Sequence, residues 1–266
     1  MTLQDTMISL EVNDGVAEIT LNAPYKLNAL DEQALADLSR AYDEAEAAAA
    51  DGSVRALLLR GEGRAFCAGR DISGVSPDTD DAEAYLAGLV TPLLKKMSAF
   101  PAPTFAAAQG ACLGVGLGLL IATDVVYAAD NAKIGSPFAN LGATLDSGGH
   151  WLFTERLGAH RTLDLIYTAE LMSGAEAVRS GLFSRSLPAG ELLDTTRATA
   201  ARVATGATGA FRASKQLVAG IRDRRLGLWA AVDQENAAQA ALCRTPDYAE
   251  GFTAFQEKRA PRFAGR

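Results

Sequence analysis

The chain has 266 residues, of which 48% are hydrophobic and 21% are charged, and its formal net charge is −7. This composition predicts a folded globular protein with a large core. The acidic balance and the lack of clustered Lys and Arg argue against nucleic acid as a partner.

The first half of the chain alternates predicted strands and helices. Apolar and polar residues alternate in ISLEV and VAEITL around an Asn-Asp-Gly turn, which predicts a β-hairpin. A helix is expected from its cap Asp31 to Asp51-Gly52, followed by a strand in VRALLLRG and a helix in DAEAYLAGLVTPLLKKM. TFAAAQG and DVVYAA predict strands on either side of a helix in the Gly-rich run 111–122. This alternation is typical of the α/β class.

The second half becomes helical. WLFTERLG predicts a buried helix, Ser173 and Glu176 have the spacing of a capping box, and LFSRSLP predicts a last strand. From about Glu191 the sequence is Ala-rich with helical periodicity. We therefore expect an α/β core over residues 1–190 and a helical region over residues 191–266.

Several features indicate a soluble cytoplasmic protein. The longest apolar run, 111–122, has 12 residues, whereas a spanning helix needs about 20. The N-terminus lacks the pattern of a secretory signal. The cysteines Cys67, Cys112 and Cys243 are far apart and lack metal-ligand spacing, so we expect buried apolar residues rather than a disulfide framework, and no metal site.

Asp146 is the residue whose role the local sequence leaves open. It lies in ATLDSGGH, just before the predicted helix WLFTERLG. Asp is a favoured N-cap, and its charge suits a helix N-terminus. The alternative is a catalytic carboxylate, with the neighbouring His150 in the same pocket or in a structural role.

Two Gly-containing loops are candidates for binding an anion. Residues 61–72 follow the strand VRALLLR, and residues 109–118 follow the strand TFAAA. Backbone N–H groups at the start of a helix attract negative charge. The glycines of the second loop do not satisfy G-x-G-x-x-G, and no phosphate-loop Lys follows, so a nucleotide site is not predicted.

Four motifs in order resemble those of the enoyl-CoA hydratase/isomerase (crotonase) superfamily: NAPYKLNAL, RAFCAGRDI, AAAQGACLGVGLGLLIATDVVYA and AEGFTAFQEKRAPRF. The resemblance implies an α/β fold, namely a crotonase-type spiral of ββα turns with a C-terminal helical trimerisation region. It also implies an acyl-CoA substrate, no cofactor beyond the coenzyme A of that substrate, and a homotrimer or homohexamer.

The resemblance also implies the site residues. The backbone N–H groups of Arg70 and Val115 would form an oxyanion hole for the thioester oxygen. Val115 departs from the glycine usual in the family. Asp71 is interpreted as a helix-start residue, and Lys26 and Lys258 as CoA contacts or solvated surface lysines. The full set of expected substrate or CoA contacts is Lys26, Ala68, Asp71, Ile72, Gly114, Phe138, His150 and Lys258.

The largest departure from the family concerns the proton-transferring groups. The two glutamates of the hydratases are replaced by Gly118 and Phe138, so we expect no ordinary hydration of an enoyl-CoA. The stretch LDSGGHWLF is similar to that of the 1,2-epoxyphenylacetyl-CoA isomerase and Δ3,Δ2-enoyl-CoA isomerase branch, in which an aspartate at the position of Asp146 shuttles a proton.

The main hypothesis is therefore an acyl-CoA isomerase with a single aspartate base. The alternatives are a hydratase-like activity, an aryl-CoA dehalogenase or hydrolase with Asp146 as nucleophile, and a non-catalytic acyl-CoA-binding protein.

Overall fold

A computed structural model of the chain describes residues 7–265. The strands β1–β9 are Ile8–Asn13, Val16–Leu21, Ala56–Gly61, Thr104–Ala108, Ala111–Leu113, Val125–Ala129, Lys133–Gly135, Met172–Ser173 and Arg185–Leu187. The helices α1–α9 are Glu32–Asp51, Thr91–Ala99, Val115–Ile121, Gly149–Thr168, Gly174–Arg179, Ala189–Ala204, Thr208–Arg224, Leu228–Leu242 and Pro246–Gln256. Short 3-10 helices span Pro24–Lys26 and Phe138–Leu141, and Ala84–Val90 is a π-helical segment.

The strands form two sheets. The larger has the order β1-β2-β3-β4-β6-β9; β1 and β2 pair antiparallel, and the other neighbours pair parallel. The smaller has the order β5-β7-β8. The chain repeatedly contributes a strand to the large sheet, then one to the small sheet, and then a helix, as in β4, β5 and α3. This succession winds the chain into a spiral of ββα units.

Elements with strong local signals form where the sequence predicts them. Asp31 accepts a hydrogen bond from the Ala34 N–H and caps α1, which ends at Gly52 with φ 87°. The helical spacing buries Leu38 and Tyr42 against the core. The hairpin of β1 and β2 and the strands β3, β4 and β6 are also confirmed.

The Gly-rich run 111–122 differs from the prediction of one helix. Ala111–Leu113 form β5, and α3 begins only at Val115. Gly114 separates them with φ 51°, a conformation that ends the strand and turns the chain. The run is thus divided between two elements, and within residues 7–265 no helix has the length and apolarity needed to cross a membrane.

Helix α6 lies across the boundary expected between residues 190 and 191. Its residues Leu192, Thr196 and Ala200 are buried against the large sheet. Arg197 on the same helix binds the carboxylate of Glu18 on β2, with 2.8 Å between Nε and Oε2. The first helix of the expected C-terminal region therefore covers the sheet, and α7–α9 follow it.

The three cysteines do not share one environment. Cys67 and Cys112 are buried and face each other in an isolated parallel bridge. Cys243 is exposed, contrary to the expectation. It directly follows α8, a surface helix whose described residues include one buried side chain, that of Ala231.

Candidate active site

The two Gly-containing loops lie side by side at the carboxyl ends of two central strands of the large sheet. The first loop (residues 61–72) leaves β3 and the second loop (residues 109–118) leaves its parallel neighbour β4. The N–H of Cys67 donates to the Ala111 carbonyl over 2.9 Å, and the N–H of Leu113 donates to the Cys67 carbonyl over 3.0 Å. These hydrogen bonds fix the two loops relative to each other.

The backbone N–H of Arg70 is a free donor in the first loop. Leu30 donates to the Gly69 carbonyl over 2.8 Å and accepts from the Asp71 N–H over 2.9 Å. Because peptide groups alternate in direction along an extended segment, the N–H of Arg70 points away from Leu30. It donates to no oxygen of the described residues.

The backbone N–H of Val115 is the corresponding donor in the second loop. Val115 is the first residue of α3, where N–H groups have no partner within the helix. The first N–H paired inside the helix is that of Gly118, which donates to the Gly114 carbonyl over 3.1 Å. Within residues 7–265 the N–H of Val115 has no acceptor. The left-handed conformation falls on Gly114, so the β-branched Val115 is accommodated without strain.

Phe138 forms an apolar wall beside this second donor. A Cβ atom built on Gly114 would lie 2.9 Å from the ring Cζ of Phe138, so the ring covers the Gly114 α-carbon directly. Phe138 thus faces the second loop. An aromatic ring at this position transfers no proton.

The turn formed by residues 146–148 occupies the space beside Gly118 on α3. A Cβ atom built on Gly118 would lie 2.5 Å from the Cβ of Ser147 and 3.0 Å from its carbonyl oxygen. Gly118 is the position at which the resemblance places a hydratase glutamate. A different segment, carrying Asp146, therefore packs there.

Asp146 does not cap α4, which contradicts the capping alternative. The helix begins at Gly149, its N-cap is Gly148, and no side chain caps it. Ser147 and Gly148 both adopt left-handed conformations, with φ of 52° and 89°, which turn the chain between the carboxylate and the helix. The Asp146 carboxylate instead accepts a hydrogen bond from the Ser147 hydroxyl over 2.8 Å.

The surroundings of Asp146 favour a carboxylate that accepts protons readily. Burial raises the pKa of Asp146, while the Ser147 hydrogen bond and the charges of His150 and Arg70 oppose this rise. His150 is exposed in the first turn of α4, with its Nε2 atom 3.4 Å from the Thr144 hydroxyl. His150 thus acts on Asp146 through its charge and makes its side-chain contact with Thr144.

The Arg70 side chain has partners that no sequence motif indicated. Its guanidinium forms two hydrogen bonds to Asp80, of 3.0 and 2.7 Å. Its Cζ lies 4.1 Å from the ring centroid of Tyr85, whose hydroxyl donates to the Leu30 carbonyl over 3.3 Å. Both partners come from the segment between the first loop and α2, and they hold that segment against the loop.

Lys26 and Asp71 bind each other, an ion pair that the sequence did not indicate. The Lys26 ammonium lies 3.0 Å from the carboxylates of both Asp31 and Asp71, so it is an ion-paired lysine that is mostly buried. Partial burial opposes the Lys26 charge, but the hydrogen bonds to Asp71 and Asp31 outweigh it and raise the pKa. Asp71 starts no helix; its carboxylate accepts from Ser73, and hydrogen bonds from Ser73 and Lys26 lower its pKa to about 2. Ile72 is exposed.

Ala68 and Lys258 lie in different parts of the molecule. Ala68 is within the first loop, where its N–H donates to the Leu27 carbonyl over 3.0 Å. Lys258 follows α9, is exposed, and forms no ion pair with any described residue. After Lys258 the chain continues to Phe263, whose carbonyl accepts a hydrogen bond from the Arg55 side chain over 3.0 Å. Arg55 directly precedes β3, whereas the first loop leaves the other end of that strand.

A cavity of about 610 Å³ adjoins the turn at residues 146–148. It lies between α2, α3 and α7, with apolar walls and a charged rim. Its lining includes Leu94, Gly118, Ile121, Ser147, Ala219 and, at the rim, Lys95, Arg222 and Asp223. Volumes of this size accommodate small organic groups.

Comparison with known proteins identifies the family. The family model described as enoyl-CoA hydratase/isomerase matches residues 11–266. The chain belongs to the enoyl-CoA hydratase/isomerase family. This family member is 35% identical over 260 residues to a protein of Rhodobacter capsulatus named probable enoyl-CoA hydratase, with 97% of this chain and 98% of that protein covered. It is 31% identical over 259 residues to the 1,2-epoxyphenylacetyl-CoA isomerase of Escherichia coli, with 96% and 97% covered.

Solved structures of the enoyl-CoA hydratase/isomerase family share the fold. The crystal structure of the enoyl-CoA hydratase of Bacillus anthracis matches with a TM-score of 0.88 and 27% identity, covering 98% of this chain and all of that one. The expected crotonase-type α/β spiral with C-terminal helices is thus confirmed.

Proposed function

We propose that this family member is an acyl-CoA isomerase in which Asp146 is the only catalytic carboxylate. The N–H groups of Arg70 and Val115 would bind the thioester oxygen. The main support for this proposal is that the turn containing Asp146 packs on Gly118 of α3. Gly118 lies three residues after Val115, and residues at that spacing lie on the same helix face. The turn that carries Asp146 therefore packs on α3 about one helical turn after Val115, the proposed oxyanion donor.

The proposed step needs only groups that the chain supplies. Asp146 removes a proton from the carbon α or γ to the thioester, and the electrons of the broken C–H bond pass into a conjugated enolate whose oxygen the two N–H groups hold. The protonated Asp146 then returns the proton to a different carbon, which shifts the double bond. Each N–H donor of an oxyanion hole typically contributes a factor of about 10² to 10³ in rate. No cofactor is involved beyond the coenzyme A of the substrate.

The names of several relatives raise hydration as the competing activity. Addition of water by the usual route needs two carboxylates, and the two corresponding positions here are Gly118 and Phe138. We expect this protein to isomerise a 3-enoyl-CoA or a ring-epoxidised aryl-CoA and to hydrate crotonyl-CoA at least about 100-fold more slowly, the scale of one missing acid–base group. Absorbance of the conjugated thioester and deuterium wash-in at the α carbon measure both reactions.

The same assay separates the remaining alternatives. Hydration at a rate equal to isomerisation contradicts the proposal. A mass increase of the protein during single turnover of an aryl-CoA supports nucleophilic attack by Asp146 instead. Acyl-CoA binding in calorimetry without turnover of any of these substrates supports a non-catalytic binding protein.

We also propose that the protein assembles as a homotrimer or homohexamer. Large apolar side chains are exposed on the last two helices, including Trp229 (76%) on α8 and Phe255 (84%) on α9. Exposed apolar surface of this kind is typical of protein interfaces. Analytical ultracentrifugation should therefore give three or six times the chain mass, and a monomer at every concentration contradicts the proposal.

A further inference from the structure

The hydroxyl of Ser147 contacts one oxygen of the Asp146 carboxylate. It donates to Oδ1 over 2.8 Å, and Oδ2 accepts no hydrogen bond from any described residue. A carboxylate is otherwise free to rotate about its last bond, because that torsion is broad. The single hydrogen bond therefore distinguishes two oxygens that are chemically equivalent in a free aspartate.

The backbone holds the Ser147 hydroxyl in this place. Ser147 has φ 52°, which is uncommon for a residue other than glycine, and Gly148 follows with φ 89°. The N–H of Gly149 closes the turn by donating to the Asp146 carbonyl over 2.9 Å. On its other side the Ser147 Cβ faces the bare α-carbon of Gly118. The serine is thus held between α3 and the start of α4.

From this geometry we propose that Ser147 is a positioning residue, whose hydroxyl orients the Asp146 carboxylate so that Oδ2 alone exchanges a proton with the acyl group. The inference rests on the proposed isomerase function. Because the same oxygen would accept and return the proton, both transfers would occur on one face of the acyl plane.

The hydrogen bond is compatible with both protonation states of Asp146. When the carboxylate is charged, the Ser147 hydroxyl donates to Oδ1. When Oδ2 carries the proton, Oδ1 is a carbonyl oxygen and still accepts from the same hydroxyl. The orientation therefore persists from proton removal to proton return.

The other charged and titratable groups around Asp146 come from three elements. Arg70 belongs to the first loop, His150 to α4, and Tyr85 to the π-helical segment. Burial raises the pKa of Tyr85, which keeps it neutral. Arg70 and His150 act on Asp146 through charge and the Ser147 hydroxyl through its hydrogen bond, and each lowers the Asp146 pKa against the effect of burial. Removal of the hydroxyl alone should therefore raise that pKa.

The test is Ser147→Ala, which keeps the Cβ atom and removes the hydroxyl. We expect kcat to fall about 10-fold, the scale of one hydrogen bond to a charged group. The acid limb of the kcat/KM profile should move to higher pH, with KM nearly unchanged. The matched control is Ser53→Ala, because the Ser53 hydroxyl also binds a carboxylate, that of Asp51, but at the exposed end of α1. This control should leave rate and pH profile unchanged.

A double variant distinguishes positioning from a merely structural role. If Ser147 acts through Asp146, adding Ser147→Ala to Asp146→Asn should cause no further loss, whereas independent effects would multiply. Ser147→Gly guards against misfolding, because glycine accepts the positive φ and also lacks the hydroxyl; it should reproduce the shift of the acid limb.

The outcomes of the two proposals are separable. A wild-type kcat and acid limb in both Ser147 variants, together with an inactive Asp146→Asn, overturn the positioning role and leave the isomerase proposal intact. Full activity of Asp146→Asn overturns the isomerase proposal itself.

Discussion

Asp146→Asn is expected to lower turnover by about 10²- to 10⁴-fold, the usual contribution of a general acid–base group. Asn has nearly the shape of Asp, and its Oδ1 can still accept from Ser147, but it cannot take up a proton. Affinity for the acyl-CoA should change little, because the proposed oxyanion donors at Arg70 and Val115 are backbone groups of other segments. Isomerisation kinetics and calorimetric Kd values measure the two quantities.

Stability supplies the control for this substitution. Because the Asp146 side chain does not cap α4, its replacement removes no cap. The folded-state pKa is raised above the unfolded value, so above the folded pKa the charged carboxylate destabilises the native state, and the penalty disappears below the unfolded pKa. The Asn variant should therefore unfold at the same or a higher Tm at neutral pH. Asp164→Asn, exposed on the same helix, should leave turnover unchanged; full turnover in Asp146→Asn contradicts the assignment.

The sequence predicted those elements whose signals are local. The α1 cap at Asp31 and the capping box of Ser173 and Glu176 are contained within four residues, and both form. The division of the run 111–122 into strand and helix was not predictable in this way. It depends on β7, three residues long, with which Ala111–Leu113 pair, and an apolar run carries no mark of such a distant partner.

In the candidate site, too, local features were predictable from the sequence and contacts between distant residues were not. Both loops were recognisable from their glycines and their place after a strand. The contacts that define side-chain roles were not, because Lys26 meets Asp71 across 45 positions of the chain, and Arg70 meets Asp80 only after the intervening segment folds back. Whether Asp146 caps α4 depends on the backbone angles of Ser147 and Gly148. An aspartate is compatible both with a helix cap and with the turn observed here, so the residue type alone could not decide between them.

Gly118→Ala is expected to reduce both stability and activity. By helix propensity alone, replacing Gly with Ala within α3 should stabilise the protein by about 1 kcal/mol. The added Cβ, however, would lie 2.5 Å from the Ser147 Cβ, a contact that forces a backbone shift. Such overpacking costs about 1 to 3 kcal/mol. Because Asp146 is joined to the displaced Ser147, turnover should fall about 100-fold, the expected effect of moving a catalytic group by about 1 Å.

Gly190→Ala is the matched control for this variant. Gly190 lies in the first turn of α6, and a Cβ built there meets nothing within 4 Å, so this variant should be as stable as the parent or slightly more stable, with unchanged turnover. Thermal unfolding and isomerisation rates of the two variants separate steric displacement from helix propensity. For the same reason Gly118→Glu should not create a hydratase, because the volume of the new side chain is already filled by the turn at residues 146–148. A Gly118→Ala variant with parental Tm and turnover would show that this turn does not pack on α3 during catalysis.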